Sequence, residues 1–363
     1  MAATAEIAQP ALLGRRDSGY AKADVSMRPQ PSASRALVEG VACALGAGLL
    51  WGLVFVVPLM LPDYPPAMLS FGRYLGFGVI ALLLALTDLP GLRRLQRDDW
   101  QMAGELALVG NILYYLFLSA AIQLADAPLP TMLIGTLPIV IAIVSNFGSE
   151  ALPWRRLLPS LVVIGLGIAL VNSHEMAQRG EGRSAHDYVV GALLALAAVV
   201  AWTWYPVRNS RWLRRRPALA SGTWALAQGL ATLPLAALGM AVAGVHAGGE
   251  SAYDYPLGPH PGRYVGLMLT LGLCASWLGT LLWNRASKLL PTALIGQLIV
   301  FETLAAFAYA FMWRGALPGG TALVGIVLLI IGVVLGVRAF RPARDSRQAD
   351  VGRESPVQPG REP

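Results

Sequence analysis

The chain has 363 residues, of which 55% are hydrophobic and 13% charged, with a formal net charge of +7. A charged share about half that of an ordinary soluble domain excludes a water-soluble globular protein, which could not hide so much apolar surface. The positive balance does not point to a nucleic-acid partner, because the basic residues flank apolar runs and form no single patch.

Residues 1–37 open the chain as a disordered basic arm, with Arg15, Arg16, Asp17, Lys22 and Asp24 set among Ser, Ala and Pro. The arm has no apolar stretch long enough for a signal peptide. Ten apolar runs follow, near 38–60, 66–88, 102–123, 127–148, 156–173, 187–207, 219–243, 264–284, 290–312 and 320–339. Runs of about 20 residues cross a bilayer core as helices. None shows the alternation of a membrane barrel. The expected fold class is therefore all-α integral membrane, with ten transmembrane helices. Residues 340–363 read as a second disordered tail.

The sequence also repeats itself. Pro130-Thr131-Met132-Leu133-Ile134-Gly135 returns as Pro291-Thr292-Ala293-Leu294-Ile295-Gly296. Trp51 and Pro66-Ala67-x-x-Ser70 return as Trp202 and Pro217-Ala218-x-x-Ser221. The repeats are predicted at 38–173 and 187–339, five helices each, joined by an outer linker at 174–186. Five is odd, so the second copy enters the membrane from the opposite face. Inverted repeats place a substrate site between them near mid-depth.

Charge sets the orientation. With the N-terminus cytoplasmic, the inner loops carry Arg93, Arg94, Arg97, Arg155, Arg208, Arg211, Arg214, Arg215, Arg216, Arg285 and Lys288. The outer loops carry only Arg179, Arg183, Arg263 and Arg314. The positive-inside rule then puts both termini in the cytoplasm. All four histidines fall in or beside outer loops, and Cys43 and Cys274 fall inside runs. No disulfide, metal or cofactor is expected from that pattern.

A few polar groups lie within the runs. Glu302 sits near the middle of the ninth. A carboxylate is costly in hydrocarbon, so it should face protein or water and serve as a proton or cation site. A neutral packing acid, or a partner of Arg73, is the alternative. Arg73 could hold a substrate carboxylate with its bidentate fork, or snorkel to the outer interface. Asn111, Tyr114 and Tyr115 cluster in the third run, with Asn111 and Tyr114 on one helix face. Gln228 and Gln297 add buried amides, and Trp51, Trp202, Trp204, Trp277 and Trp283 add aromatic surface. These could line a cavity for a small amphipathic or cationic solute, or simply bond and pack between helices. Pro58, Pro138 and Pro234 are hinge candidates, because proline removes a helix hydrogen bond. Static kinks are the alternative. Gly165-x-Gly167 and Gly332-x-x-x-Gly336 would let helices approach closely.

Several segments carry a family resemblance. Leu50-Trp51-Gly52, Phe71-Gly72-Arg73-Tyr74, Leu137-Pro138 with Glu150, Leu157 to Gly165, Phe301-Glu302 and Gly325 to Gly332 occur in order over residues 40–338. In that order and spacing the chain resembles the EamA-type members of the drug/metabolite transporter superfamily. Ile134-Gly135-Thr136-Leu137-Pro138, Trp283-Asn284-x-Ala286-Ser287 and Ile299-Val300-Phe301-Glu302-Thr303 are similar to a bacterial inner-membrane branch. The resemblance implies a ten-span inverted-repeat carrier in the bacterial inner membrane, usually an exporter of amino acids, other metabolites or drugs. Two positions depart from the pattern. Thr303 replaces a common proline, and Trp313-Arg314 stand where a late acid is usual.

The function expected is secondary-active transport of a small-molecule substrate by alternating access, with protons as a coupling partner through Glu302. No phosphate-binding G-x-x-x-x-G-K-[ST] loop is present. An intramembrane enzyme would need a nucleophile with a base or a metal triad, and neither is evident. A channel or membrane scaffold is the remaining alternative.

Overall fold

The computed structural model describes residues 33–61, 63–125, 128–147, 153–177, 184–247, 255–315 and 319–339. The arm at 1–32, the tail at 340–363, Glu150, Arg179 and Arg183 lie outside them. Among the described residues every regular element is helical, as the unbroken apolar runs predict.

The first helix, α1, spans Ala33–Met60 and runs through Pro58 without a break. Next, α2 (Pro66–Ala85) starts with proline in its first turn, where the missing N–H costs nothing. A short α3 (Leu89–Arg93) is capped by the Asp88 side chain, which accepts from the Gly91 N–H. Helix α4 (Arg97–Leu106) opens with a capping box between Gln96 and Asp99. It continues through a π-helical segment, Ala107–Leu113, into α5 (Tyr114–Ala125). Helices α6 (Pro128–Gly135) and α7 (Leu137–Asn146) are separated at Thr136, with Pro138 in the first turn of α7.

Helix α8 covers Trp154–Ala177, α9 Ala185–Arg215 and α10 Ser221–Ala247. Each contains a proline, at 159, 206 and 234, and each stays continuous. Then α11 (Pro261–Thr270), a second π-helical segment (Leu271–Leu278) and α12 (Gly279–Leu289) form one continuous helical run. Finally α13 (Thr292–Leu298) meets α14 (Val300–Arg314) at Ile299, and α15 spans Gly320–Ala339. Gly315 ends α14 with φ 62°, the left-handed cap that glycine adopts without a Cβ penalty.

Seven helical runs among the described residues are long and apolar enough to cross a membrane. They are Ser34–Val57, Ala67–Ala85, Arg97–Leu118, Ala185–Arg215, Ser221–Val245, Pro261–Leu289 and Thr292–Trp313. Leu137–Asn146 and Leu323–Ala339 are shorter apolar helices.

The expected loops at Arg208–Arg215 and Arg285–Lys288 need correction. Both segments are helix, the last turns of α9 and α12. Hydropathy falls there, yet arginine and lysine are good helix formers and suit a helix C-terminus. Cross-helix bonds also hold those turns. Asn209 donates to Asn284 at 2.9 Å, and Arg214 donates to Thr292 at 2.8 Å.

Helix α1 packs on α12 and α14, α2 on α10, α5 on α9, α7 on α13, and α8 on α15. Small residues set the closest approaches. A Cβ on Gly52 would lie 2.7 Å from the Ala305 Cβ of α14. Gly167 and Gly332 lie against Leu329 and Ile164 respectively, so one glycine of each pair serves the α8–α15 contact, while Gly165 faces Ile139 of α7 and Gly336 faces Gln297 of α13.

Candidate functional site

An aromatic cluster sits in the middle of the bundle. Trp51 on α1 meets Trp202 on α9 edge-on at 5.9 Å and Trp283 on α12 at 5.0 Å. Trp202 stacks on Tyr114 at 4.8 Å and on Tyr205 at 5.2 Å. Gly279 makes room for this: a Cβ there would lie 2.7 Å from the Trp51 Nε1. Trp51, Tyr205 and Trp283 are buried, while Trp202 and Tyr114 keep partial exposure.

A ladder of neutral hydrogen bonds lines one side of the cluster. The Tyr205 hydroxyl donates to Gln228 Oε1 at 2.8 Å. One turn along α10, Thr232 donates to the Gln228 carbonyl and accepts from Asn111 Nδ2 at 3.0 Å. One turn the other way, the Trp224 indole donates to Asn209, which donates to Asn284. Helix α10 thus presents Trp224, Gln228 and Thr232 at four-residue spacing to three different partners.

Two charges border the cluster. Arg73 on α2 donates from Nε to Ser276 Oγ at 3.1 Å. Gly76 lies against the Met268 carbonyl and Gly272 against Gly76, so Ser276 sits further along the bundle than Arg73, whose side chain runs in that direction to meet it. Its side chain points into the bundle and not toward the nearer end. Glu302 lies in the first turn of α14, with the Gly48 backbone of α1 against its amide. Arg73, Glu302 and Tyr114 stand within electrostatic reach of one another. No ion pair joins Arg73 to Glu302, and both keep partial exposure.

The structure therefore brings Trp51, Arg73, Asn111, Tyr114, Gln228 and Glu302 around one central region. Tyr115 packs with the neighbouring Phe71–Tyr74–Phe77 cluster, and Trp277 bridges that cluster to the main core. Gln297 lies elsewhere. It is fully buried, accepts from Ser160 on α8 at 3.3 Å and abuts Gly336 on α15. Pro138 sits beside the α6–α7 break, whereas Pro58 and Pro234 sit in unbroken helices. Sequence reasoning missed Tyr205, Thr232 and Ser276 as partners. The spacings Trp202–Tyr205 and Gln228–Thr232, each one helical turn, were the available signal for two of them.

A separate apolar cleft of about 240 Å³ opens between α2, α10 and α11, lined by Gly72, Leu75, Met240, Tyr264 and Met268 among others. None of the candidate pathway residues lines it, though Gly72 of the Phe71–Tyr74 segment does.

Residues 38–173 match the EamA-like transporter family. Over 311 residues the chain is 45% identical to the inner membrane protein YtfF of Escherichia coli, spanning 84% of this chain and 96% of that protein. The chain belongs to the EamA-like transporter family, within the drug/metabolite transporter superfamily. It is a multi-pass membrane protein. A second relative of this EamA-like protein, 28% identical over 78% of this chain and 89% of its own length, bears the name "Probable terminal-alkyne amino-acid exporter" in Streptantibioticus cattleyicolor. A crystal structure with 22% sequence identity shares the fold, with a TM-score of 0.64 over 86% of this chain and 100% of its own.

Proposed function

We propose that this EamA-like protein is a secondary-active exporter of a small metabolite, working by alternating access between two inverted five-helix halves. The observation that carries the reading is a pair of charges inside the bundle, Arg73 from the first half and Glu302 from the second, that lie near Tyr114 of the aromatic cluster with no ion pair between them. Unpaired charges inside a membrane protein are costly and mark a pathway. The fork of Arg73 suits a carboxylate and the aromatic wall suits an apolar or cationic portion. Glu302 is the group through which a proton gradient would couple. A substrate of amino-acid type fits this set, and the exporter name of the Streptantibioticus relative is in keeping with it.

The packing pattern supports an inverted pair. Helix α1 lies on α12 and α14, as α9 lies on α5 and on α6–α7. The pairs α2–α10 and α8–α15 would each map onto themselves. One π-helical segment falls in the third apolar run and one in the eighth; one break falls in the fourth and one in the ninth. The E. coli relative's inner-membrane name supports the same location here, with the arginine-rich end in the cytoplasm.

The test is reconstitution. Purified protein in proteoliposomes should show saturable, inhibitable flux of an amino-acid-like solute driven by a pH gradient. Glu302→Gln should abolish gradient-driven accumulation while leaving solute exchange measurable. Unsaturable flux would point to a channel, and full gradient-driven activity in Glu302→Gln would remove that residue from coupling.

A further inference from the structure

At the arginine-rich end, charge joins the two halves of the chain. Arg208 on α9 donates to Glu105 on α4 at 3.1 Å. Arg216, which ends α9, lies 3.6 Å from Asp99 on α4 and donates to Gln96 at 3.1 Å. Arg285 on α12 donates from both Nε and Nη2 to Glu39 on α1. Among the described residues, each arginine–carboxylate pair takes its acid from residues 38–173 and its base from 187–339. Thr223 on α10 adds a hydroxyl bond to Asp88 in the same direction.

Other seams are built differently. Within the second half the same end is held by buried amide bonds, as in Trp224–Asn209–Asn284, and by single cations on neutral acceptors, as in Arg214–Thr292, with no arginine–carboxylate pair among the described residues. At the opposite end the ties between halves among the described residues are neutral. Tyr64 donates to the Leu257 carbonyl, and Tyr264 donates to the Met68 carbonyl, each at 2.8 Å. Among the described residues, arginine–carboxylate pairs between the halves are thus confined to one end of the seam.

That end is shut in this structure. Every residue of α13 is buried, as are Leu92, Leu106, Leu213 and Leu290 on the helices that carry or flank the ion pairs. Tyr114, Trp277 and Glu302, further along, keep partial exposure.

We propose that the pairs Glu39–Arg285, Asp99–Arg216 and Glu105–Arg208 form an electrostatic latch that sets how often the arginine-rich end opens. The latch rests on the alternating-access reading. Glu39–Arg285 and Glu105–Arg208 are exposed, and such pairs are individually weak and screened by salt, so they break and re-form readily. Neutral buried bonds would instead lock the seam, because each broken one leaves an unpaired group. With acids on one face and bases on the other, the separated faces attract and the closed state is restored without a ligand. Asp99 is the best-shielded member, with 4% side-chain exposure, and it is held in place by accepting from the Gln96 N–H at 2.9 Å. Loss of its charge should open the end more than loss of Glu39 or Glu105.

The experiment reads opening directly. Spin labels go on Asp98→Cys of α4 and Arg211→Cys of α9, both exposed, with Cys43→Ala and Cys274→Ala removing the native thiols. The protein is held in lipid nanodiscs and the distance distribution is measured by pulsed dipolar spectroscopy. Neutralising all three acids (Glu39→Gln, Asp99→Asn, Glu105→Gln) should raise the long-distance population at least about threefold. Salt at about 1 M should do part of this in the unaltered latch. Glu105→Arg alone should open the end, and Glu105→Arg with Arg208→Glu should close it again. An unchanged distribution in the triple variant, or an exchanged pair no better than Glu105→Arg alone, overturns the latch. If the triple variant does not fold, Glu39→Gln and Glu105→Gln singly carry the test, and two unchanged distributions overturn it. Failure of the transport reading looks different. Distances that respond without solute flux refute transport and leave the latch, while saturable flux with unmoved distances refutes the latch alone.

Discussion

Arg73 and Ser276, 203 residues apart, meet through a single 3.1 Å hydrogen bond from Nε to Oγ. Ser276 lies in the π-helical segment Leu271–Leu278 and is buried. The bond holds the guanidinium through Nε, with its carbon 5.1 Å from the Tyr74 ring centroid, and engages neither terminal nitrogen.

Ser276→Ala should therefore loosen Arg73 without removing its charge. For a carboxylate-bearing transported solute, KM should rise about fivefold, matching the loss of about 1 kcal/mol of orienting hydrogen bond. The maximal rate should change less, and Ser276→Thr should restore KM. Flux in proteoliposomes over a range of solute concentrations checks this; equal losses in both variants would show that Ser276 only packs.

The Trp224–Asn209–Asn284 chain predicts a stability effect. An indole N–H can only donate, so Asn209 must accept with its oxygen and donate with its nitrogen. Asn209→Leu strands two buried groups and should destabilise the fold by about 2–4 kcal/mol. Trp224→Phe, which removes one donor, should cost less. Thermal unfolding in detergent reads both.

Gly52 predicts a steric one. A Cβ there would stand 2.7 Å from the Ala305 Cβ and 2.9 Å from the Ala306 amide. Gly52→Val should push α1 off α14, cost about 1–3 kcal/mol through overpacking and reduce flux with it. Gly262→Ala, with nothing within 4 Å, serves as the silent comparison for both readouts.

Gln297 separates a binding role from a packing one. Its amide ties Ser160 on α8 and abuts Gly336 on α15. Gln297→Leu should lower the unfolding temperature by a few degrees, as expected for loss of about 1 kcal/mol. KM for the transported solute should stay unchanged. A raised KM at normal stability would return Gln297 to the substrate path.

Much of this protein was legible in one dimension, and for a physical reason. A bilayer demands about 20 apolar residues per crossing helix and forbids unsatisfied backbone, so the runs at 38–60 or 219–243 declare themselves. The matching Pro130–Gly135 and Pro291–Gly296 segments likewise needed only to be read. The family followed from motif order. Hydropathy failed at Arg208–Arg215 and Arg285–Lys288, because charged residues continue a helix beyond the apolar core as readily as they end one.

Direction and partnership belonged to the tertiary structure alone. Sequence marks Arg73, Gln228, Gln297 and Glu302 as polar groups in apolar runs, each costly there unless partnered. Only packing turns Arg73 inward to Ser276, joins Gln228 to Tyr205 beside the aromatic wall, and sends Gln297 away to α8 and α15. A helix position fixes which way a side chain leaves its own axis, and the neighbour it meets there depends on crossings between segments far apart in the chain. The sorting of Glu39, Asp99 and Glu105 against Arg285, Arg216 and Arg208 arose the same way, from two faces brought together by folding.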